Sequence, residues 1–366
     1  MRRAARDTTM PHDAKPAADL GMEQRAMDRH LAQEQETAGA SSNATRRDAR
    51  RANAIGVHSV DRFVFSVPSL DDAQRFYSAF GLDTRREGGR VHLHAHGHPH
   101  RWATIVESGA AKRLEYLRFG AYAEDLEVLK ARIERLGLSC APHRLADGDG
   151  GGEGVWLRSP DGVPLHLVAA PKVSPSAKCV AEARTSVPPG QGAAPPRSRV
   201  QSVRPRGLSH ILLFTPDVAR MVGFCAEVLG LRLSDRSADI IAFMHAPHGS
   251  DHHLVAFAKS HGPGLHHSSW DVGSIDAVGC GAEQMRAVGF DRGWGVGRHV
   301  LGSNYFHYVR DPWGSFAEYS FDIDFVPHDL EWPAADHPPE DSLYVWGPPV
   351  PEDFIVNHET AASADR

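Results

Sequence analysis

The chain is poor in the features that mark several broad protein classes. It has only four cysteines in 366 residues, Cys140, Cys179, Cys225 and Cys280, far apart and without a CxxC pair. That argues against a disulfide framework or a zinc knuckle and implies reduced thiols in a cytoplasmic protein. No apolar run reaches the length of a membrane span. No basic start, apolar stretch and small-residue cleavage site make a secretory signal. A strong charge excess is also missing: 40 Lys and Arg against 46 Asp and Glu leave a net charge of −6. A nucleic-acid footprint would need a clustered basic face. Neither nucleic acid nor a membrane is therefore expected as a partner.

What the chain has in excess is histidine, 23 residues. Most must serve on the surface or in the core, but the excess prompts a search for a metal site. At this length, with 41% hydrophobic residues, the chain exceeds one ordinary core, and two domains are expected.

Residues 1–54 are polar, Ala-rich and crowded with alternating charges, with a helical stretch at Met22–Thr37 and a basic run at Arg46–Arg51. Such a segment is expected to be disordered. Its acids count against an organelle transit peptide. Order is expected from near Val57. "SVDRFVFSV" reads as a strand, "SLDDAQRFYSAFGL" as an amphipathic helix ending at Gly81, and "AEDLEVLKARIERLGL" as a second helix. "GEGVWLRSPDGVPLHLVAA" is a strand, a Pro-Asp-Gly turn and a strand. Residues 171–204 have the Pro, Ser, Ala and Arg content of a linker.

The same grammar then returns. "GLSHILLFTPD" is a strand, "VARMVGFCAEVLGL" a helix ending at Gly230, "LHHSSWDV" a strand, "IDAVGCGAEQMRAVGF" a helix, and "YFHYVRDPWGSFAEYSF" a strand, turn and strand. Ser159-Pro160-Asp161-Gly162 aligns without gaps on Asp311-Pro312-Trp313-Gly314. The halves are an internal repeat, and within each half a module of about 50–60 residues recurs. The expected fold class is α+β: tandem βαβββ modules, in two domains that each curl into an open β-barrel. The expected division is an extension (1–54), a first domain (55–172), a linker (173–204), a second domain (205–325) and a tail (326–366). The Trp and Tyr residues of the tail suggest packing on the domain surface.

In the second half His210, His267 and Glu318 each lie on a different strand. Two imidazoles and a carboxylate facing one floor make a facial triad. Such a triad leaves neighbouring coordination positions open on one side of a metal, as suits Fe(II) holding a bidentate substrate and dioxygen together. Singly, a strand histidine is more often a core or surface residue. Glu318 is the stronger signal, because a core-facing carboxylate is costly unless paired or metal-bound. The first half places Arg62, Tyr116 and His166 at the matching positions. That set cannot make the same site, so only the second half should bind metal. The tract "VHLHAHGHPH" (His92, His94, His96, His98, His100) reads as an exposed strand and loop. Trp270, Trp294 and Trp313 read as packed residues that could line an aromatic pocket.

Gly297-Arg298-His299, Tyr308, Asp311-Pro312, Gly314 and Glu318 stand at the spacing of a family signature, and "HHLVAFAKSHGPGLHH" extends it upstream. Residues 57–325, most strongly 205–320, resemble the vicinal oxygen chelate superfamily and within it the type I extradiol dioxygenases. His307 departs from the pattern, which has an aliphatic residue or Phe before the tyrosine. The resemblance implies iron ligands at His210, His267 and Glu318 and an acid–base group at His253. It also implies residues that hydrogen-bond the substrate or the developing intermediate at His299 and Tyr308. Alternation lets one residue of each "HH" pair face the floor, and the family register selects His267 over His266 and His253 over His252. The implied activity is ring cleavage of a substituted catechol beside its hydroxyls, with O2 and Fe(II), in aromatic compound degradation. Mn(II) is left open by the same ligands, and a homo-oligomer is the family's common state. Two competing readings are a glyoxalase-type isomerase and a non-catalytic binding protein of the bleomycin-resistance type.

Overall fold

A computed structural model describes residues 50–109, 111–145, 154–182 and 186–359. The extension as far as residue 49, with its Met22–Thr37 helix, lies outside the described residues. Arg50–Arg366 form one compact unit.

The first half contributes β1 (Val57–Val67), β2 (Asp83–Glu87), β3 (Arg90–His94), β4 (Ala103–Glu107), β5 (Arg113–Ala121), β6 (Val155–Arg158) and β7 (Pro164–Ala169). Helix α1 (Leu70–Ala79) follows β1, and α2 (Ala123–Arg135) follows β5. These strands form a seven-stranded sheet in the order β2-β3-β4-β1-β5-β7-β6.

The second half contributes β8 (Gly207–Thr215), β9 (Arg232–Ser237), β10 (Ile241–His245), β11 (Ser250–Asp251), β12 (Val255–Lys259), β13 (Gly264–Asp271), β14 (Gly293–His299), β15 (Tyr305–Arg310) and β16 (Phe316–Phe321). Short strands β17 (Phe325–Val326), β18 (Ala335–Asp336) and β19 (Tyr344–Trp346) follow. The helices are α3 (Val218–Phe224), which runs on into a π turn, α4 (Ile275–Ala287) and α5 (Pro339–Ser342). The ten-stranded sheet has the order β18-β9-β10-β12-β8-β13-β16-β15-β14-β19. β11 pairs with β17 apart from it. Both sheets are curled and open.

Local chemistry explains where the helices start. Ser69 Oγ accepts from the Asp72 amide at 3.2 Å, Asp217 Oδ1 from the Arg220 amide at 3.0 Å, and Ser274 Oγ from the Ala277 amide at 3.1 Å. Each satisfies a donor that a helix N-terminus leaves orphaned. The hairpin turns that align in sequence also match in backbone: Gly162 has φ +82° and Gly314 φ +105°, a region that only glycine enters at little cost.

Sheet register carries the repeat into three dimensions. Arg62 on β1 faces Arg118 on β5, which faces His166 on β7. His210 on β8 faces Ser269 on β13, which faces Glu318 on β16. Tyr116 and His267 each stand two residues before the middle member. The copies also differ. After α4 come three strands, β14 to β16, but after α2 the described residues hold only β6 and β7, with an isolated Ser139–Leu157 bridge beside them. The sequence pattern alone suggested equal modules.

One apolar cluster runs under both sheets. Phe80, just past α1, stacks on Tyr319 of β16 at 3.9 Å, and the Tyr319 hydroxyl donates to the Phe80 carbonyl at 2.9 Å. No helix among the described residues is long and apolar enough to cross a membrane.

Candidate metal centre

β8, β13 and β16 are adjacent strands, with β13 antiparallel to β8 and parallel to β16. Successive side chains on a strand alternate between faces. His210, His267 and Glu318 therefore share the concave face of the second sheet. One ligand atom from each lies within 4.8 Å of the others, and among the described residues this is the one such group of His, Cys, Asp or Glu. His210 Nε2 is 3.2 Å from His267 Nε2 and 3.3 Å from Glu318 Oε2, and His267 Nε2 is 3.4 Å from the same oxygen. All three residues are buried.

Hydrogen bonds on the far side of each ring show which nitrogen is free. His266 Nε2 donates to the Phe354 carbonyl at 2.8 Å, so neutral His266 presents an acceptor at Nδ1. His267 Nδ1 lies 2.7 Å from it and must donate, leaving the lone pair on Nε2. The Ser209 hydroxyl donates to Asp251 Oδ2 at 2.9 Å, so its oxygen is an acceptor for His210 Nδ1 at 3.2 Å. His210 Nε2 then also carries a lone pair. Glu318 Oε1 accepts from Asn304 Nδ2 at 3.2 Å, while Oε2, fully buried, has no hydrogen-bond partner. Two imidazole lone pairs and an orphaned carboxylate oxygen converging on one point are a donor set for a divalent cation. Burial, with the neighbouring imidazoles of His266 and His210, holds His267 well below the ordinary value.

The other expected site residues surround this point. His253, between β11 and β12, packs its ring against that of His210, with centroids 4.0 Å apart and planes tilted by 53°. Burial and the surrounding imidazoles, His210 first among them, hold it well below the ordinary imidazole value. Tyr308 lies directly across the ladder from Glu318, and its hydroxyl donates to His299 Nε2 at 2.9 Å. That direction follows because His299 Nδ1 donates to the Leu343 carbonyl at 2.8 Å. Burial, and then the charge of Glu318, push the Tyr308 hydroxyl well above its ordinary range. His307, the departure from the family pattern, lies opposite Tyr319 and points away from the floor.

A cavity of about 200 Å³ opens over His210, His253 and His267. Its walls are mostly apolar: Ile241 and Phe243 from β10, Leu301 after β14, and Val350, Phe354 and Ile355 from the C-terminal segment. The sequence reading missed this use of the segment, along with Asn304, Asp251 and the supporting role of His266. Each acts through tertiary contacts that no local motif signals. Trp294 and Trp270 are buried. Trp294 stacks on Tyr308 at 5.7 Å, and its Nε1 donates to the Pro348 carbonyl at 2.9 Å.

The histidine tract meets expectation in its loop, where His96 and His98 are exposed, and differs from it in its strand. His92 and His94 are 6% exposed, not surface residues. β3 sits inside the first sheet between β2 and β4 and turns both side chains to one covered face. His92 Nδ1 meets Thr104 Oγ1 at 3.1 Å and His94 Nδ1 the Pro99 carbonyl at 3.2 Å.

Residues 207–319 match the family described as the Glyoxalase/Bleomycin resistance protein/Dioxygenase superfamily. The chain is 49% identical over 304 residues to metapyrocatechase 2 of Cupriavidus necator, covering 83% of this chain and 93% of that protein. Its fold is similar to that of a Mn(II)-bound glyoxalase from Novosphingobium aromaticivorans, with TM-score 0.67 and 26% identity over 83% of this chain and 96% of that one. A 2,2',3-trihydroxybiphenyl 1,2-dioxygenase from Sphingomonas wittichii shares the fold at TM-score 0.62 and 22% identity, over 80% and 98% of the two chains. The chain belongs to the extradiol ring-cleaving dioxygenases of this superfamily.

Proposed function

We propose that the chain opens the ring of a substituted catechol beside its two hydroxyls with dioxygen, and that His210, His267 and Glu318 hold Fe(II) for this purpose. The observation that carries the reading is the buried, orphaned Glu318 Oε2 facing two imidazole lone pairs. A carboxylate oxygen left so in a dry floor is costly unless a cation completes it. When bound, Fe(II) supplies Lewis acidity toward the diol and redox chemistry toward dioxygen. Mn(II) suits the same donors.

His253 is the acid–base group in this reading. Its ring, neutral and beside His210, takes a proton from the diol and later returns it, a role worth about 10²–10⁴-fold. Tyr308 and His299 form a hydrogen-bonded pair at the cavity edge; in this reading the Tyr308 proton turns from His299 Nε2 to the charge that develops on a substrate oxygen. The apolar walls exclude water and grip the ring. The same reading takes residues 55–172 as a metal-free domain, 205–325 as the catalytic domain, 173–204 as their linker and 326–366 as a tail packed on the second. It also takes the protein as a cytoplasmic homo-oligomer.

The test is oxygen uptake with a panel of substituted catechols on protein reconstituted with Fe(II) without air. The expected result is stoichiometric uptake with a yellow ring-fission product. No uptake with any catechol would overturn the reading.

A further inference from the structure

We infer that Asp235 and His252 are a positioning pair that locks His253 in one tautomer, with its proton on Nδ1 and a free Nε2 toward the cavity. The inference rests on the reading of His253 as the acid–base group. No sequence motif joins these residues, since Asp235 on β9 and His252 after β11 meet only in the folded sheet.

Every partner of the Asp235 carboxylate is a donor. Oδ2 accepts from His252 Nε2 at 2.9 Å and from Trp332 Nε1 at 3.2 Å, and Oδ1 from the Ala335 amide and His337 Nε2, both at 3.0 Å. Burial alone would raise this carboxyl, but the bonds from His252 and His337 outweigh it and hold it below the usual carboxylate value. An ionised carboxylate can only accept, so His252 carries its proton on Nε2. With its one proton on Nε2, His252 offers a lone pair at Nδ1, which lies 3.0 Å from His253 Nδ1. His253 must donate there, and its second nitrogen is left unprotonated. The group that has to take a proton from substrate is thereby prepared before substrate arrives.

His252 itself has little freedom. Its amide donates to the Asp324 carbonyl at 2.6 Å, its carbonyl accepts from Ser234 Oγ, and its ring is fully buried. His253 is packed between His210 at 4.0 Å and Phe243 at 4.8 Å. Three of the Asp235 donors come from the segment after β17, so that segment helps to build the pair.

The experiment uses the full chain and three substitutions. His252→Phe removes the acceptor, and His252→Leu does the same with a smaller group in case the first does not fold. His252→Asn places an amide oxygen near the position of Nδ1 while losing the bond to Asp235. The expected result is a drop in kcat of about 10–100-fold for His252→Phe or His252→Leu. Catechol KM and bound-metal content should hold, and His252→Asn should recover most of the rate. Long-range 1H–15N spectra of metal-free protein labelled at histidine read the tautomer directly. His253 should be protonated on Nδ1 in the unaltered chain and in His252→Asn, and lose that bias in the other two. An Asn variant as slow as the Phe variant overturns the inference, as does an unaltered chain with His253 protonated on Nε2. If no catechol is turned over, the proposed function fails, while the spectra still decide the tautomer.

Discussion

Tyr308 stands directly across the β15–β16 ladder from Glu318, and its hydroxyl donates to His299 Nε2 at 2.9 Å. The pairing gives the cavity a polar edge beside the carboxylate. Tyr308→Phe removes that hydroxyl and nothing else. Loss of one oriented donor typically lowers turnover by about 10²-fold. The expected outcome is that fall in kcat with bound metal unchanged, measured by oxygen uptake alongside metal analysis. A variant with full activity would remove Tyr308 from the chemistry.

Glu318→Gln tests the orphaned oxygen from the other direction. The metal-free protein should be more stable than the unaltered chain, because an unpaired buried carboxylate oxygen is replaced by a neutral amide. About 1 kcal/mol is expected, or roughly 1–2 °C in Tm for a chain of this size. Metal affinity should fall by at least about 100-fold. Calorimetry on both proteins, with and without metal, reads both effects. A less stable metal-free variant would mean that Glu318 is already satisfied.

Stability of the metal-free protein should rise steeply with pH between about 4.5 and 6. Burial holds His58 at about 3 and His92, His166, His245, His266 and His307 at about 4. In this window the unfolded chain binds protons at these six sites and the native chain does not, so falling pH favours unfolding. Asp251 and Glu359 act in the opposite sense, since burial raises both to about 7 and the native chain keeps their protons. Six sites against two leave a positive slope. Urea midpoints at three pH values check the sign, and a flat profile would contradict it.

Phe354→Ala enlarges the cavity without removing the backbone carbonyl that holds His266. Preference should move toward catechols with bulkier apolar substituents, by about 10-fold in relative kcat/KM. Bound metal should hold. The measurement is a substrate panel run on both proteins, and an unchanged ranking would mean that the C-terminal wall does not touch substrate.

Much was legible in the sequence because two regularities are local. Period-two alternation puts His210, His267 and Glu318 on one face once their strands are recognised, and the repeat aligns them with Arg62, Tyr116 and His166. Hairpin turns that need glycine at positive φ mark the same register in both halves. Other features have no local signature. All four members of the two histidine pairs are buried, at 0% and 3% for His252 and His253 and 3% and 2% for His266 and His267. Hydrophobicity could not choose between them; tertiary contacts put His253 and His267 beside His210 and make His252 and His266 the rings that hold them.

The sequence by itself therefore determined the αβ repeat from alternation and spacing, and, with the family register to select His267 over His266, the three candidate donors and the half that carries them. Only tertiary structure decided which nitrogen of each histidine is free. That choice depends on acceptors far away in the chain: Leu343, 44 residues from His299, Phe354, 88 residues from His266, and Asp235, 17 residues from His252. A tautomer is set by the partner on the far side of the ring, and folding alone brings that partner there.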